Sequence, residues 1–301
     1  MQEINSVASY WFPATSNMQQ EICSFKVNYL MGSFFIPYKS SKVHYNKTGN
    51  GEKILLCFHG YGESCASFDF IEKYIIADFT LIAIDFPFHG QTVWNEGLVF
   101  RPEDLLIILE EIIQATSLKT SKIYLLGFSM GGRVALHLSQ IIPNKIEKLF
   151  LIAPDGLHVN FWYWFATQNY FGNKLFHFTV QHPAWFFSLL TISNKIGLIN
   201  QSIFKFANYY LHDKQMRTDL YNRWITMRKF KPNIKKIKKN IITNNIQMRF
   251  LYGEFDRVIR YTNAKKFMQG IESNCTLSIL HSGHQLLQEK NADEIVRLLK
   301  D

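Results

Sequence analysis

The sequence lacks the features that mark several large protein classes. It has no run of about 18 uncharged apolar residues, so it indicates no membrane-spanning helix. Residues 1–16 contain neither lysine nor arginine and no sustained apolar stretch, which is unlike a secretory signal peptide. No dinucleotide-binding glycine fingerprint is present, and no cysteine pair has the spacing of a metal site. We therefore expect a cytoplasmic protein with free thiols, no metal and no other cofactor. The four cysteines are Cys23, Cys57, Cys65 and Cys275.

Acidic residues are scarce in one long segment. Residues 155–240 hold three of them against 13 lysines and arginines, although the net charge of the whole chain is only +9. The same segment contains 19 of the 46 aromatic residues. No nucleic-acid recognition motif accompanies the charge, so we expect no nucleic-acid partner. Two interpretations of the basic residues stay open: a solvated face, or an interface with an anionic partner, which could be membrane phospholipid, an acidic carrier or a charged substrate.

Outside that segment, short apolar runs alternate with helical patterns. Buried parallel strands are predicted at residues 53–58, 79–84, 122–126, 145–152, 246–252 and 275–280. Helices are predicted at residues 64–76, 102–117, 133–142, 261–268 and 292–300. Residues 21–30 and 42–47 are predicted as early strands, paired in an antiparallel hairpin through Pro37. Regular alternation of this kind predicts an α/β fold with a mostly parallel, doubly wound sheet covered by helices on both faces.

The alternation stops at the basic segment and resumes after it. We therefore predict an α/β core made of residues 1–154 and 241–301, interrupted by a helical lid at residues 155–240. A chain of 301 residues is long enough for one large domain with such an insertion. Polar residues that follow parallel strands are expected at one edge of the sheet, which is where α/β proteins build their sites.

The stretch Gly127-Phe-Ser-Met-Gly-Gly132 lies between a predicted strand and a predicted helix. Strand, sharp turn and helix are the context in which G-x-S-x-G presents a nucleophilic serine, here Ser129. Glycines allow the strand and the helix to approach closely, and the first backbone N–H groups of the helix favour an anion beside the serine. The alternative is a plain turn with Ser129 as a helix N-cap.

A serine hydroxyl is a weak nucleophile at neutral pH and needs a base, which a carboxylate commonly orients. Two later strands are followed by suitable residues, Gly253-Glu-Phe-Asp256 and His281-Ser-Gly-His284. We predict His284 as the base and Asp256 as the carboxylate, in the order serine, aspartate, histidine. The competing residues are His281 for the base, and Glu254 and Asp155 for the carboxylate.

Five motifs occur in order along the chain, and together they resemble those of the α/β-hydrolase family. The resemblance extends from about residue 54 to the C-terminus. They are His59-Gly-Tyr-Gly62, Asp85-Phe-Pro-Phe-His-Gly90, Gly127-Phe-Ser-Met-Gly-Gly132, Gly253-Glu-Phe-Asp256 and Ser282-Gly-His284. One departure is Gly90-Gln-Thr92, where many relatives have Gly-x-Ser.

The resemblance implies a role for each matching residue. Ser129 matches the nucleophile, His284 the general base and Asp256 the orienting carboxylate, while the backbone N–H groups of Tyr61 and Met130 match the oxyanion hole. The strand–turn–helix motif around Ser129, which is called a nucleophile elbow, is similar to those of C–C bond hydrolases, esterases and cofactor-free haloperoxidases.

The expected function is hydrolysis of a carboxylic ester or thioester of a small apolar acyl substrate through an acyl-enzyme. The alternatives are a C–C bond hydrolase of the ring-cleavage type, an interfacial lipase peripheral to a membrane through its aromatic, basic lid, and a non-catalytic ligand-binding member of the fold.

Overall fold

The computed structural model describes residues 32–75, 77–116, 122–158, 160–196, 204 and 211–300. Its strands are β1 (Gly32–Tyr38), β2 (Ser41–Thr48), β3 (Lys53–Phe58), β4 (Phe79–Ile84), β5 (Ile123–Phe128), β6 (Ile146–Ile152), β7 (Gln247–Gly253) and β8 (Cys275–Leu280). Its helices are α1 (Glu72–Ile75), α2 (Pro102–Ala115), α3 (Met130–Ile141), α4 (Phe161–Gln168), α5 (Tyr170–Gln181), α6 (Ala184–Lys195), α7 (Lys214–Thr226), α8 (Ile234–Asn244), α9 (Thr262–Met268) and α10 (Ala292–Lys300). The predicted strand at 21–30, residues 1–16 and Cys23 lie outside the described residues.

The eight strands form one sheet in the order β1-β2-β4-β3-β5-β6-β7-β8. The pairings of β1 with β2 and of β2 with β4 are antiparallel, and the five remaining pairings are parallel. The predicted mostly parallel sheet is therefore confirmed. Because β5 lies between β3 and β6, the end of β5 faces the loops that follow both neighbours.

The central strands are buried because helices cover both faces of the sheet. Every residue of β4 is buried, as are five of the six residues of β3. This explains their continuous apolar runs, since a strand covered on both sides has no solvent face to fill with polar residues. The helix α3 is buried over most of its length and packs against β3, β5 and β6.

The hairpin at the edge of the sheet differs from the prediction. Pro37 does not form the turn but lies within β1, opposite Lys42, and the chain turns at Lys39 and Ser40 instead. Lys39 has a φ of 52°, the left-handed conformation that the tight turn requires. A proline is tolerated in β1 because this strand lies at the edge of the sheet and pairs on one side only. On the open side there is no neighbouring strand, so a missing N–H there removes no hydrogen bond between strands.

Two helix predictions also needed correction. The helix after the predicted nucleophile begins at Met130 and not at Arg133, since the two intervening glycines are helical. The predicted helix at residues 64–76 is a 3-10 helix, Cys65–Ile71, followed by the four-residue α1. The N–H of Cys65 donates to the Asp85 carboxylate at 2.6 Å, so a side chain from after β4 holds the first turn.

The helices between β6 and β7 have small apolar clusters of their own. One cluster contains Leu190 and Leu220, and a second contains Val180 and Ile225. Further along, Ile237 of α8 belongs to the main core. The division of the chain at residues 155 and 240 stays a prediction. No helix within the described ranges is long and apolar enough to cross a bilayer.

Arginines of this segment bind backbone carbonyls of the loops after β4. The Nε of Arg223 donates to the carbonyl of Phe88 at 2.8 Å, and an Nη1 of Arg228 donates to that of Leu98 at 2.7 Å. Arg223 holds α7 against the α/β core, and Arg228 does the same for the 3-10 turn Met227–Lys229 that follows α7. Part of the positive charge that the sequence concentrates here is therefore used inside the protein.

Candidate active site

The three residues predicted as nucleophile, carboxylate and base each follow the C-terminal end of a strand. Ser129 directly follows β5, Asp256 lies three residues after β7 and His284 lies four residues after β8. These strands are parallel, so their C-terminal ends lie at one edge of the sheet. The topology thus brings together residues that are far apart in the chain.

Ser129 occupies a strained turn between β5 and α3. Its φ is 49° and its ψ is −113°, a conformation that few residues other than glycine adopt. The flanking glycines make the turn sterically feasible: a Cβ on Gly127 would lie 2.6 Å from the carbonyl oxygen of Gly131, and one on Gly131 would lie 1.9 Å from that of Phe58. The glycines are therefore required by the close approach of three backbone segments.

A chain of two hydrogen bonds joins the three side chains. The Nε2 of His284 lies 3.1 Å from the Oγ of Ser129, and its Nδ1–H donates to Oδ2 of Asp256 at 2.7 Å. The second oxygen of Asp256, Oδ1, accepts the N–H groups of Val258 and Ile259, each at 2.8 Å. The buried carboxylate is thus fixed in orientation, and it fixes the ring of His284 in turn.

The side chains of the competing residues have other partners. His281 binds Glu254 with 2.9 Å between Nδ1 and Oε2, and both side chains are more than half exposed to solvent. Asp155 faces Arg133, with 3.4 Å between its Oδ2 and an Nη1, and its Oδ1 accepts the N–H of Gly156. The backbone N–H of Asp155 donates to the carbonyl of Ser129 at 2.9 Å, but the hydrogen bonds described for the side chains of these three competitors go to other residues than Ser129 and His284.

The two backbone groups predicted for the oxyanion hole belong to segments on either side of Ser129. Met130 is the first residue of α3, where N–H groups of the opening turn have no carbonyl partner within the helix. Tyr61 lies in the loop after β3, and this loop is held in shape by the Glu63 carboxylate, which accepts the N–H of Gly60 at 3.2 Å. Both residues line the same pocket as Ser129.

A pocket of about 440 Å³ opens beside Ser129 and His284. Its apolar wall includes Leu220 and Trp224 of α7, and its polar side includes Arg133 and Asp155. This volume suits a small organic ligand. The helices between β6 and β7 therefore supply part of the wall around the predicted nucleophile.

Two charged pocket residues were not predicted from the sequence. Arg133 lies one helical turn after Ser129, with its guanidinium 4.4 Å from the ring centre of Tyr163. Glu63 lies within the loop after β3, and burial raises the pKa of its carboxyl, while the Gly60 N–H and His284 act in the opposite direction. The sequence did hold a signal for both pocket residues, because Arg133 is close to Ser129 and Glu63 directly follows the His59-Gly-Tyr-Gly62 motif.

His59 braces the loops around the site. Its Nδ1–H donates to the carbonyl of Gly60 at 2.7 Å, and its Nε2 accepts the N–H of Phe86 at 3.1 Å. Burial lowers the pKa of His59 from 6.5 to about 4, so the ring is held neutral. This side chain ties the loop after β3 to the loop after β4.

One group of described residues has the donor atoms of a metal site. The ligand atoms of His44, Cys65 and Asp85 lie within 4.8 Å of one another. They are already hydrogen-bonded, since the Nδ1–H of His44 donates to Oδ2 of Asp85 at 2.7 Å. Burial and the neighbouring Asp85 raise the pKa of the Cys65 thiol, so the thiol is protonated in this hydrogen-bonded arrangement. The geometry is that of a structural brace between β2 and the loop after β4.

Comparisons with known proteins agree with the fold. The family described as serine aminopeptidase, S33 (Hydrolase_4) matches residues 49–291. The uncharacterized hydrolase YugF of Bacillus subtilis (strain 168) is 22% identical over 259 residues, which cover 82% of this chain and 89% of that protein. The pimeloyl-(acyl-carrier protein) methyl ester esterase of Vibrio parahaemolyticus is 29% identical over 114 residues, only 38% of this chain and 41% of that enzyme.

Solved structures share the architecture at low sequence identity. A thermophilic esterase from Thermogutta terrifontis superposes with a TM-score of 0.63 and 16% identity, over 89% of this chain and 97% of that one. At this identity the likeness concerns the fold alone. Because the family match covers most of the chain, this protein belongs to the serine aminopeptidase S33 (Hydrolase_4) family and is an α/β-fold hydrolase of the serine hydrolase type.

Proposed function

We propose that this protein hydrolyses carboxylic ester or thioester bonds of a small apolar acyl substrate, with Ser129, His284 and Asp256 as its catalytic triad. The observation that carries the proposal is the hydrogen-bonded chain from Ser129 through His284 to Asp256, which opens to a pocket of about 440 Å³. Partial similarity to an esterase of a pimeloyl methyl ester supports an acyl substrate.

In the acylation step, the Oγ of Ser129 attacks the substrate carbonyl carbon and its proton passes to the Nε2 of His284. Asp256 accepts the Nδ1–H of His284 and stabilises the imidazolium that forms. The oxyanion of the tetrahedral intermediate is bound by the N–H groups of Met130 and Tyr61. Collapse of the intermediate breaks the bond to the alcohol or thiol, which leaves with the proton from His284.

In the deacylation step, water takes the place of the leaving group. His284 accepts a proton from the water, whose oxygen attacks the acyl carbon of the ester on Ser129. The second tetrahedral intermediate releases the carboxylic acid, and the proton returns from His284 to Ser129. No step requires a group from outside the chain other than substrate and water.

A second candidate is an interfacial lipase, which runs the same chemistry on a lipid ester. The observation in its favour is the set of large aromatic side chains that α4 and α5 expose, among them Trp162 and Phe171. A preference for long acyl chains presented in vesicles over short soluble esters would distinguish it from the first candidate.

The proposal is tested by labelling with a fluorophosphonate, followed by turnover of p-nitrophenyl esters of increasing chain length. We expect the wild type to label and to turn over, and Ser129→Ala to do neither while unfolding at the same temperature. Labelling without ester turnover would favour the C–C bond hydrolase. A folded wild type that does not label would overturn the mechanism and favour a ligand-binding protein.

A further inference from the structure

Helices α4 and α5 expose large aromatic side chains to solvent. Six of them form what we call the aromatic face: Phe161, Trp162, Trp164, Tyr170, Phe171 and Phe178. Trp162 is 71% exposed and Phe171 is 76% exposed, so most of each ring faces water. Monomeric proteins rarely leave large apolar patches in water, and patches that do occur mark interaction sites.

Helix α4 is apolar on both of its sides. On the inner side, the ring of Tyr163 lies 5.3 Å from that of Trp224 on α7 and also covers Arg133. On the outer side, Phe161 and Trp162 face solvent. A surface helix in water normally has a polar outer stripe, whereas a helix that is apolar all round has an apolar environment on both sides. We therefore expect the outer side of α4 to bind a partner.

The aromatic face is held together by close packing of its two helices. A Cβ on Gly172 of α5 would lie 2.1 Å from the carbonyl oxygen of Phe165 on α4, so the two backbones are in direct contact. Ring centres of neighbouring aromatics lie 5.4 Å apart for Phe161 and Trp162, and 5.6 Å apart for Tyr170 and Phe171. The two helices that carry the exposed rings are therefore packed directly against each other.

The segment of the chain that carries the aromatic face has charge of one sign. Residues 156–212 contain no aspartate or glutamate and three lysines. One of these, Lys174, is exposed on α5 with its Nζ 4.6 Å from the ring centre of Tyr170. An anionic surface complements this charge, whereas a second copy of the chain would bring the same charge against it.

We propose that the aromatic face docks this protein on the anionic surface of a lipid bilayer. Tryptophan and tyrosine rings are favoured at the level of the headgroups, because one end of each ring is apolar and the other is polar. Lys174 would lie toward the lipid phosphates and carboxylates. Docking does not depend on the proposed hydrolysis, since it uses none of the groups of the active site.

The docked orientation has a consequence for the substrate. Asn160 and Tyr163 line the pocket beside Ser129, and they flank Phe161 and Trp162 in the chain. Docking through α4 therefore places one wall of the pocket beside the bilayer. The substrate class that fits is that of the second candidate, an ester with an acyl chain that partitions into the membrane, and this step does rest on the proposed function.

The test measures binding of the full chain to vesicles by co-sedimentation. Vesicles made of phosphatidylcholine and phosphatidylserine in equal parts are compared with pure phosphatidylcholine, at low and at high salt. We expect the wild type to prefer the anionic vesicles and to lose part of its binding at high salt. Trp162→Ala combined with Phe171→Ala should weaken binding by about tenfold or more, because two large apolar side chains no longer leave water.

A matched control replaces two exposed apolar side chains of the α/β core, Tyr74→Ala with Ile107→Ala, and should bind as the wild type does. Lys174→Glu should weaken binding to the anionic vesicles by about fivefold or more and leave binding to pure phosphatidylcholine unchanged. Fluorophosphonate labelling without vesicles reports separately on the active site and should be the same in all four proteins.

Three outcomes would overturn the proposal. The first is a wild type that binds neither kind of vesicle. The second is equal binding by the wild type and the Trp162→Ala, Phe171→Ala variant. The third is a wild type that is dimeric in solution and becomes monomeric in that variant, because a second copy would then be what covers the face.

Discussion

Asp256→Asn is expected to disable the site by reversing one hydrogen bond. Oδ1 of Asp256 accepts two backbone N–H groups, those of Val258 and Ile259, so the amide oxygen of an asparagine is held at that position. The amide NH2 then replaces Oδ2 and donates to Nδ1 of His284. The ring must take the tautomer with its proton on Nε2, which faces Ser129 at 3.1 Å. A protonated Nε2 cannot accept the proton of the serine.

The size of the effect follows from the loss of the general base. A histidine held in the wrong tautomer costs about 10⁴-fold in turnover in the serine triad, which corresponds to about 5 kcal/mol of transition-state stabilisation. We expect kcat of the variant on a p-nitrophenyl ester, and its rate of fluorophosphonate labelling, to fall by about this factor. Stability should change little, because asparagine has nearly the volume of aspartate and keeps both backbone bonds.

The matched control is Glu254→Gln, which alters the other carboxylate that binds a histidine in this region. Its partner His281 is exposed, and the pair does not contact Ser129. Turnover of this variant should stay within about twofold of the wild type. If Asp256→Asn loses less than about tenfold in kcat, or if Glu254→Gln loses as much, the assignment of the carboxylate is refuted.

Three further predictions concern the scaffold of the site. Gly131→Ala should abolish labelling and lower the free energy of unfolding by about 3 kcal/mol, because the new Cβ would lie 1.9 Å from the carbonyl oxygen of Phe58; labelling at the wild-type rate would contradict this. Burial raises the pKa of Glu63, so the anion of this side chain opposes folding at neutral pH. Glu63→Gln should therefore be more stable than the wild type in urea unfolding at about pH 7. The gain should vanish below about pH 4, where the Glu63 carboxyl is protonated in both the folded and the unfolded state. The pKa of His59 is lowered from 6.5 to about 4, so its neutral ring stabilises the fold above about pH 6.5, and this stabilisation is lost on acidification. Between about pH 6.5 and pH 4 the free energy of unfolding of the wild type should fall by about 3 kcal/mol more than that of His59→Asn. Parallel pH profiles of the two proteins would contradict this.

The α/β architecture was predictable from the sequence because its signals are local. A strand covered on both faces is apolar at nearly every position, and residues 53–58 and 79–84 show this, with Lys53 exposed at one end and Thr80 as the one buried polar residue. The elbow at Ser129 is likewise a local steric problem, which glycines at fixed positions solve. The order of strand, polar residue and helix then predicts which edge of the sheet carries the polar groups.

The sequence could not show where a side chain finds its partner across the sheet. His281 and His284 are three residues apart, and only the loop after β8 determines that His284 lies beside Ser129 while His281 faces Glu254. The same holds for Pro37, which was predicted at the turn of the hairpin and which the edge position allows within β1.

The segment after β6 shows the same division. Its composition by itself determined that it is aromatic, basic and without strand patterns, since these are properties of residues one at a time. Only the tertiary structure decided which of its charges are used inside the protein, such as Arg223 and Arg228 on core carbonyls, and which aromatic rings face water, such as Trp162. Helix α4 is apolar on both sides, so its sequence has no periodic pattern that predicts which side is buried. Packing against α7 and the pocket determines this instead.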